Sequence, residues 1–273
     1  MLVPRLLVEH SISHIVMPYP TLTQTLWVAV DGFVMILYPF LEAETAKDAG
    51  LSDADWFALG ATLRKIHTCS LPAELHSILP QETCIPWRRN VLIELETIIN
   101  RHDLTDPAQL KLQAFWRKRQ AEIHTLIERC DRLAAQLQHK ALPAVLCHAD
   151  IHTWNVLVDS ARQWWIVDWD EVVLAPKEQD LMFMMGGIAN NLVSAHQTAC
   201  FLRGYGQTEI DSQALAYYRY AWAVQEMGAY AEEVFFSPER SEAARLDAVA
   251  QFISIFASGN IAEIALASSL DSY

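Results

Sequence analysis

The sequence predicts an α+β fold, with a few short antiparallel strands and a larger number of helices. Asp31-Gly32 separates two apolar runs, and this dipeptide favours the tight turn of a β-hairpin. Two further apolar runs flank the polar stretch 148–155 and predict another pair of strands. Over much of the remaining chain, apolar residues recur at intervals of three and four, which is the pattern of amphipathic helices.

Length, composition and charge narrow the function classes. A chain of 273 residues that is 52% apolar can form one large domain or two unequal lobes around a substantial core. Its formal net charge of −13 disfavours a nucleic-acid partner, since phosphate binding needs a basic face. The acidity suits a small-molecule substrate that carries positive charge, or it serves solubility alone. The sequence leaves the oligomeric state open.

Cysteine usage and hydropathy favour a cytoplasmic protein. The five cysteines are widely spaced and form no C-x-x-C pair, so we expect reduced thiols rather than a zinc site or disulfides. Pro4, Arg5 and Glu9 interrupt the apolar N-terminal stretch, which makes a poor signal peptide. Because no uninterrupted apolar run reaches the length of a membrane span, we expect no membrane partner.

Cap signals define the ends of several predicted helices. Ser52 with Asp55 has the form of a capping box, and the helix that follows ends near His67, which we expect to be a structural histidine. Asp106-Pro107 can cap and start a long helix. We predict further helices over 86–100, 107–140, 177–185, 213–236 and 241–267, and a two-glycine loop at 204–206.

The stretch from His148 to Asn155 reads H-x-D-x-x-x-x-N and is the strongest functional signal. Apolar runs precede and follow it, and Asp159 to Gln163 has the composition of a hairpin connection. The second strand of that hairpin leads directly into Asp168. We therefore expect Asp150, Asn155 and Asp168 to meet at one end of a small sheet.

These residue types suit phosphoryl transfer. The reaction needs a carboxylate that orients the attacking hydroxyl and accepts its proton, and oxygen ligands for the Mg²⁺ that neutralises the nucleotide phosphates. Asp150 is the candidate catalytic base, and Asn155 and Asp168 are the candidate metal ligands. A motif of this length can also occur by chance, so its structural context decides.

Beyond this motif, the sequence resembles a known family. The spacing of the motif 148–155 is that of the protein-kinase catalytic loop, but the triplet Asp168-Trp169-Asp170 departs from the kinase D-F-G form. With this departure the chain resembles the aminoglycoside phosphotransferase family, closest to its spectinomycin phosphotransferase branch. The resemblance covers most of the chain from about Arg5 onward. Its residues are 145–158, 165–171 and 174–183, with 38–40 and 59–67 similar to the family's hinge and following helix.

The resemblance implies a protein-kinase-like fold with a small N-terminal β lobe and a large helical C-terminal lobe. Residues 1–40 would be a truncated remnant of the N-terminal lobe and the hinge, and residues 41–273 the catalytic lobe. It further implies ATP and Mg²⁺ as cofactors, with Tyr38, Pro39 and Phe40 beside the adenine. An aromatic plug between the lobes explains any one of these side chains equally well.

The resemblance also assigns supporting roles around the loop. His148 would support it by hydrogen bonding, and Asp180 resembles the acid that holds the catalytic loop from the next helix. Asp170 and Glu171 could receive a cationic substrate, although capping of the following segment is an equally good explanation. We expect His152 to be an exposed loop histidine.

One part of the family pattern is not found upstream of the hinge. The pattern has a nucleotide-covering loop and a strand lysine that contacts phosphates, yet Arg5 and Lys47 are the only Lys or Arg in the first 63 residues. Three explanations stay open: a longer working protein, a shortened remnant without useful turnover, or a second chain that completes the site. We favour truncation and predict weak or absent activity for residues 1–273 alone.

The leading hypothesis is an ATP-dependent phosphotransferase that phosphorylates a hydroxyl of spectinomycin or a similar aminoglycoside-like molecule. Such a reaction implies antibiotic resistance. One alternative is a metabolic kinase acting on choline, homoserine or a sugar, since the same site can serve many hydroxyl acceptors. The other is a catalytically defective protein that binds ligands in the same cleft.

Overall fold

The computed structural model describes residues 2–101, 103–189 and 192–268. Its strands are β1 (Val28–Val30), β2 (Phe33–Met35), β3 (Ala43–Thr45), β4 (Ala144–Cys147), β5 (Val156–Asp159), β6 (Trp164–Ile166) and β7 (Val173–Pro176). Its helices are α1 (Leu2–Glu9), α2 (Ala46–Ala49), α3 (Asp53–His67), α4 (Ala73–Ile78), α5 (Arg89–Ile99), α6 (Pro107–Gln138), α7 (Glu178–Met184), α8 (Ala195–Tyr205), α9 (Ser212–Phe235), α10 (Glu242–Ser254) and α11 (Ile261–Leu266). The predicted α+β class, with small sheets and a large helical part, is confirmed.

The described residues fall into two compact units. The first contains the residues up to Glu82, Pro143–Gly187 and Leu192–Glu209, and it includes every described strand. The second contains Thr83–Leu142 and the residues from Ile210 onward, and it is helical. Residue 40, the predicted lobe boundary, lies inside the first unit, and the division into 1–40 and 41–273 stays a prediction.

The predicted N-terminal hairpin is present. β1 and β2 pair antiparallel, with Val28 opposite Met35 and Val30 opposite Phe33. Asp31 and Gly32 have φ values of 50° and 84°, which are the positive values that the tight turn requires. All strand residues of the hairpin are exposed.

Two small sheets position the loop 148–155. β5 and β6 form the predicted hairpin, with Val156 opposite Ile166, and β3 pairs with the other edge of β5. β4 pairs instead with β7, which the sequence did not predict, and Cys147 lies opposite Val173. The loop therefore leaves one sheet and enters another, and each sheet fixes one of its ends.

Helices α3 and α8 pack closely in the first unit. α3 begins with the predicted capping box of Ser52 and Asp55. The sequence predicted a loop at 204–206, but Gly204 lies inside α8 and only Gly206 follows the helix. A Cβ atom at Gly60 would overlap the carbonyl oxygen of Phe201, so only glycine permits this approach of the two backbones.

The second unit is built from α5, α6, α9, α10 and α11. Asp106 caps α6 through the N–H groups of Ala108 and Gln109, as predicted from Asp106-Pro107. The continuous helix predicted over 241–267 is wrong, because α10 ends at Ser254 and α11 starts at Ile261. Gly259 has a φ of 73° between them, a conformation that interrupts a right-handed helix.

Two sequence expectations concern the whole chain. None of the five cysteines, all of which the structure describes, forms a disulfide, and Cys130, Cys147 and Cys200 are buried. Within the described residues, none of the helices combines the length and apolar character needed to cross a membrane.

Candidate active site

The loop 148–155 is held in place by one buried carboxylate. Asp180, in the first turn of α7, accepts hydrogen bonds from the backbone N–H of His148 at 2.9 Å and of Ala149 at 2.7 Å. Ala149 has a φ of 69°, a left-handed conformation that a residue with a side chain adopts only at a cost. The two bonds to Asp180 offset that cost and fix the backbone just before Asp150.

Asp180 is in turn connected to α3 and α8. His67 Nε2 lies 2.9 Å from Asp180 Oδ2, and His67 Nδ1 lies 2.7 Å from the hydroxyl of Tyr205. A carboxylate can only accept, so we assign the ring proton to Nε2 and the role of acceptor to Nδ1. Burial raises the pKa of Tyr205 to about 12, so its hydroxyl keeps the proton that it donates to His67.

His148 links the loop to the strand that carries Asp168. Its Nε2 donates to the carbonyl of Val167 at 2.9 Å, and its Nδ1 accepts from the N–H of Asp150 at 3.3 Å. Burial lowers the pKa of His148, which keeps the ring neutral as this pair of bonds requires. The N–H of Val167 also donates to the carbonyl of Asn155 at 3.0 Å. The residue before Asp168 is thus bonded to both ends of the loop.

Asp150 and Asn155 are directly hydrogen bonded. Asn155 Nδ2 donates to Asp150 Oδ2 at 2.8 Å and to the backbone carbonyl of Asp150 at 2.9 Å. Both amide hydrogens are used by Asp150, so Oδ1 is the atom of Asn155 that can bind a cation. The Asp150 side chain is about 20% exposed, while its Oδ1 atom, on the side of His152, is buried.

His152 does not have the predicted exposure. Its side chain is only 16% exposed, with Nε2 at 3.2 Å from Asp150 Oδ1, and its ring contacts the rings of Trp154 and Phe183 edge-on. Burial lowers the pKa of His152 to about 4. The ring beside Asp150 is therefore neutral near neutral pH, and the expectation of an exposed loop histidine is wrong.

A cavity of about 330 Å³ is lined both by the predicted hinge segment 38–40 and by the segment 167–170, which contains Asp168. Its lining residues are Val16, Tyr38, Pro39, Phe40, Leu41, Leu157, Val167, Asp168, Trp169 and Asp170. Burial first, and then the charges of Asp170 and Asp168, raise the pKa of Tyr38, so the phenol stays neutral. Asp168 has a φ of 65°, a second left-handed residue at this place.

The structure therefore brings the predicted residues together in two groups. Tyr38, Pro39, Phe40, Asp168 and Asp170 line the cavity. Asp150, Asn155, His148 and Asp180 form the hydrogen-bonded loop, which is connected to Asp168 through Val167. Glu171 is exposed and is not among the residues that line the cavity.

The donor atoms at this place fit a magnesium ion. Mg²⁺ prefers carboxylate and carbonyl oxygens, and the Asp168 carboxylate and the Asn155 amide oxygen are of that kind. Two carboxylates, Asp168 and Asp170, line the cavity, and no Lys or Arg does so among the described residues. A polyphosphate can approach these carboxylates only with a cation between them, because like charges repel.

Comparisons with known proteins identify the family. The family model described as "Phosphotransferase enzyme family" matches residues 7–222. The structure of spectinomycin phosphotransferase APH(9)-Ia in complex with ADP and spectinomycin is 33% identical, with a TM-score of 0.89. That match covers 98% of this chain and 81% of the other. The chain belongs to the phosphotransferase enzyme family.

Other structures of the family agree with this assignment. The AMP-bound complex of APH(9)-Ia is 32% identical, with a TM-score of 0.87, and the match covers 98% of this chain and 83% of the other. The choline kinase LicA from Streptococcus pneumoniae is 14% identical with a TM-score of 0.51, over 92% of this chain and 78% of the other, and it shares the fold alone. Comparison with curated proteins gives no significant match.

Membership in the phosphotransferase enzyme family confirms three predictions: the family, the protein-kinase-like fold and the enzyme class. The class is an ATP-dependent phosphotransferase that acts on an alcohol group. The roles of individual site residues stay predictions, although the structure places most of them close together.

Sequence reasoning missed the connection from His67 and Tyr205 to the loop. His67 was expected to be structural, which agrees with its burial, but its partners lie 113 and 138 positions away in the sequence. The sequence shows only a histidine at the C-terminal end of an amphipathic helix, and from this alone its hydrogen-bond partners cannot be predicted. Only the packing of α3 against α8 brings Tyr205 to the ring.

Proposed function

We propose that this protein transfers the γ-phosphoryl group of ATP to a hydroxyl of spectinomycin or a chemically similar small molecule. The observation that carries the proposal is the hydrogen-bonded pair Asp150 and Asn155, connected through Val167 to Asp168 at the edge of the 330 Å³ cavity. The likeness to an enzyme solved with ADP and spectinomycin supports the choice of donor and acceptor.

Asp150 is the proposed catalytic base. Its side chain is partly exposed, and its carboxylate is oriented by Asn155 and lies beside a neutral His152. A carboxylate in such a position can align an acceptor hydroxyl and take its proton as the oxygen attacks the γ-phosphorus. Because the chemistry depends mainly on position, the rigid bonding of the loop contributes directly to the rate.

Asn155 and Asp168 are the proposed ligands of Mg²⁺. When bound, the ion supplies the positive charge that neutralises the nucleotide phosphates. The side chains of Tyr38, Pro39 and Phe40 give the cavity an apolar and aromatic wall, which suits the flat face of an adenine ring. Their predicted role as the adenine border therefore becomes part of the proposal.

The remaining predicted residues have positioning or recognition roles in this proposal. His148 and Asp180 hold the loop that presents Asp150. Asp170 and Glu171 are exposed carboxylates on the segment after Asp168 and would attract a positively charged acceptor. A cytoplasmic location agrees with five cysteines that form no disulfide and with the supply of ATP, and phosphorylation of an antibiotic would confer resistance.

A phosphorylation assay with an acceptor panel tests the proposal. Purified protein would be incubated with radiolabelled ATP, Mg²⁺ and spectinomycin, with choline, homoserine and a sugar as parallel acceptors. We expect transfer to spectinomycin alone, and slow transfer by residues 1–273 because no Lys or Arg of the described part of the chain lines the cavity. Preferential transfer to choline, homoserine or the sugar would replace the proposal with a metabolic kinase.

Nucleotide titration separates an enzyme from a binding protein. Calorimetry with ATP in the presence and absence of Mg²⁺ should show binding that depends on the metal, because Asp168 and Asp170 repel the free triphosphate. Metal-dependent binding without transfer to any acceptor would indicate a protein that binds nucleotide but lacks useful catalysis. Asp168→Asn is the matched variant and should weaken the effect of Mg²⁺.

A further inference from the structure

A second group of metal-binding side chains lies on the surface of the first unit, on helices α3 and α8. His196 Nε2 is 2.9 Å from Oδ1 and from Oδ2 of Asp53, and it is 3.7 Å from Cys200 Sγ. One ligand atom from each of the three residues lies within 4.8 Å of the other two. We propose that Asp53, His196 and Cys200 form a zinc site.

The three residue types match the ligands of zinc. Zn²⁺ binds thiolate, imidazole and carboxylate, and a site with three protein ligands keeps its fourth position for water. His196 and Cys200 are four residues apart in α8, so both side chains lie on one face of the helix. The combination of soft sulfur with nitrogen also discriminates against Mg²⁺ and Ca²⁺, which prefer oxygen ligands.

The spacing of the ligands is set by a rigid contact between the two helices. α3 and α8 approach so closely that a Cβ atom at Gly204 would overlap the carbonyl oxygen of Phe57, and one at Gly60 would overlap that of Phe201. Helices packed backbone against backbone cannot slide without breaking this contact. Asp53 is therefore held opposite the face of α8 that carries His196 and Cys200.

Charge and access also favour an ion at this place. The side chains of Asp53 and His196 are 63% and 69% exposed, so a hydrated cation can reach them, whereas Cys200 is buried beneath them. Arg203 donates a hydrogen bond to Cys200 Sγ at 3.2 Å, so the sulfur lies within reach of polar partners although it is buried. Zinc binds cysteine as the thiolate, and the negative charges of that ligand and of Asp53 would offset the positive ends of the two helices, which oppose a cation.

The other cluster of similar composition does not compete for this role. His67, Cys147 and Asp180 are all buried, and Asp180 and His67 already hydrogen bond to each other and to the catalytic loop or Tyr205. A cation would have to displace those bonds. A cation at the surface cluster would replace only the contact between His196 and Asp53, which are both exposed, and the hydrogen bond from Arg203 to Cys200, and no bond to the loop 148–155 would be lost.

Cobalt spectroscopy tests the site independently of enzymatic activity. Co²⁺ replaces Zn²⁺ in such sites, and a cobalt–thiolate bond gives a charge-transfer band in the near ultraviolet that oxygen and nitrogen ligands do not give. We expect the intact protein to take up Co²⁺ with this band and to lose the band on addition of Zn²⁺. Absence of the band in the intact protein would overturn the proposal.

Variants show which residues bind the cobalt ion, and they distinguish this site from the magnesium site of the proposed function. Cys200→Ala should abolish the band, and His196→Ala or Asp53→Asn should weaken Co²⁺ affinity by more than the roughly 10- to 100-fold that loss of an outer partner costs. Cys69→Ser and Asp168→Asn are controls that should keep the band. If His196→Ala, an exposed change that should not affect folding, leaves the affinity unchanged, the site is not the one proposed.

Discussion

Asp180 accepts a hydrogen bond from the backbone N–H of Ala149 at 2.7 Å, and Ala149 has a φ of 69°. An alanine in this left-handed region is strained, by roughly 1–3 kcal/mol, unless its surroundings hold it there. The strained residue directly precedes Asp150, so the direction of the proposed catalytic carboxylate depends on the side chain of Asp180 in α7. A positioning role for Asp180 follows from this dependence.

Removal of the Asp180 carboxylate should destabilise the protein strongly. Asp180→Ala leaves the N–H groups of His148 and Ala149 and the Nε2–H of His67 buried without an acceptor. Loss of one partner in such a buried network costs about 3–5 kcal/mol. Urea unfolding measures the loss, and Glu44→Ala, an exposed carboxylate on β3, should change stability by less than about 0.5 kcal/mol. Equal stability of the two variants would contradict the role of Asp180.

Local chemistry explains which parts of the fold the sequence predicted well. The Asp31-Gly32 turn, the capping box of Ser52 and the Asp106 cap each depend on a few neighbouring residues, and each is present in the structure. The hairpin β5–β6 was likewise predicted from adjacent apolar runs and a turn. The second strand of this hairpin brings the chain back towards Asn155, because the two strands of a hairpin are neighbours in the sequence and pair with each other.

Contacts between distant segments explain the failures. β7 is a short apolar segment, and no nearby residues indicate that it pairs with β4. Helix α8 was not predicted, because Gly204 was interpreted as part of a loop. In the structure Gly204 has no side chain where α8 packs against the backbone of Phe57 in α3, and this allows the two helices to approach closely. The same applies to the site: the motif predicted Asp150 and Asn155, while the buried connection from His67 to Asp180 exists only through tertiary packing.

Loss of the Asp150 carboxylate should abolish most turnover but leave nucleotide binding intact. Asp150→Asn keeps the size of the side chain and removes its ability to accept a proton, so we expect the rate of transfer to fall roughly 100- to 10,000-fold. Asp150 is not among the residues that line the cavity, so the affinity for ATP with Mg²⁺ should change little. Single-turnover transfer and calorimetry measure the two quantities separately. An unchanged rate would show that another group accepts the proton.

The neutral histidines of the loop should make the protein less stable in mild acid. His152 has an ordinary pKa of 6.5 when unfolded, but burial lowers it to about 4 in the folded protein. Between these values the unfolded chain binds more protons, so stability is full above pH 6.5 and falls as the pH decreases toward 4. The shift corresponds to a loss on the order of 3 kcal/mol. Asp150, at 3.2 Å, favours the protonated ring, but the burial of His152 beside Trp154 and Phe183 opposes it more strongly.

Urea unfolding at several pH values checks this window. His152→Gln should flatten the decline between pH 6.5 and 4 without removing it, because burial also lowers the pKa of His148 and that residue remains. Unfolding rather than activity is the readout, because the rate of transfer would combine the change in stability with effects on catalysis. A decline of the same steepness in the variant would show that other groups cause it.

Enlargement of Gly204 should damage both stability and catalysis, although this residue is not part of the loop. In Gly204→Ala the new methyl group overlaps the carbonyl of Phe57, so α8 must move away from α3, at a cost near the upper end of the roughly 1–3 kcal/mol typical of overpacking. Gly206→Ala is the matched control. It has open space around it but a φ of 84° and a ψ of 177°, a conformation that is essentially confined to glycine, so it should also cost roughly 1–3 kcal/mol, without moving α8.

The two variants should differ more in activity than in stability. Displacement of α8 carries Tyr205 away from His67, and His67 is the partner of the carboxylate that holds Ala149 and the backbone before Asp150. Gly206 lies beyond the end of α8, so its substitution leaves that connection in place. Single-turnover transfer rates, measured where both variants are folded, should therefore fall for Gly204→Ala and stay near the normal value for Gly206→Ala. If Gly204→Ala folds and transfers at the normal rate, the chain of contacts from α8 to Asp150 does not control catalysis.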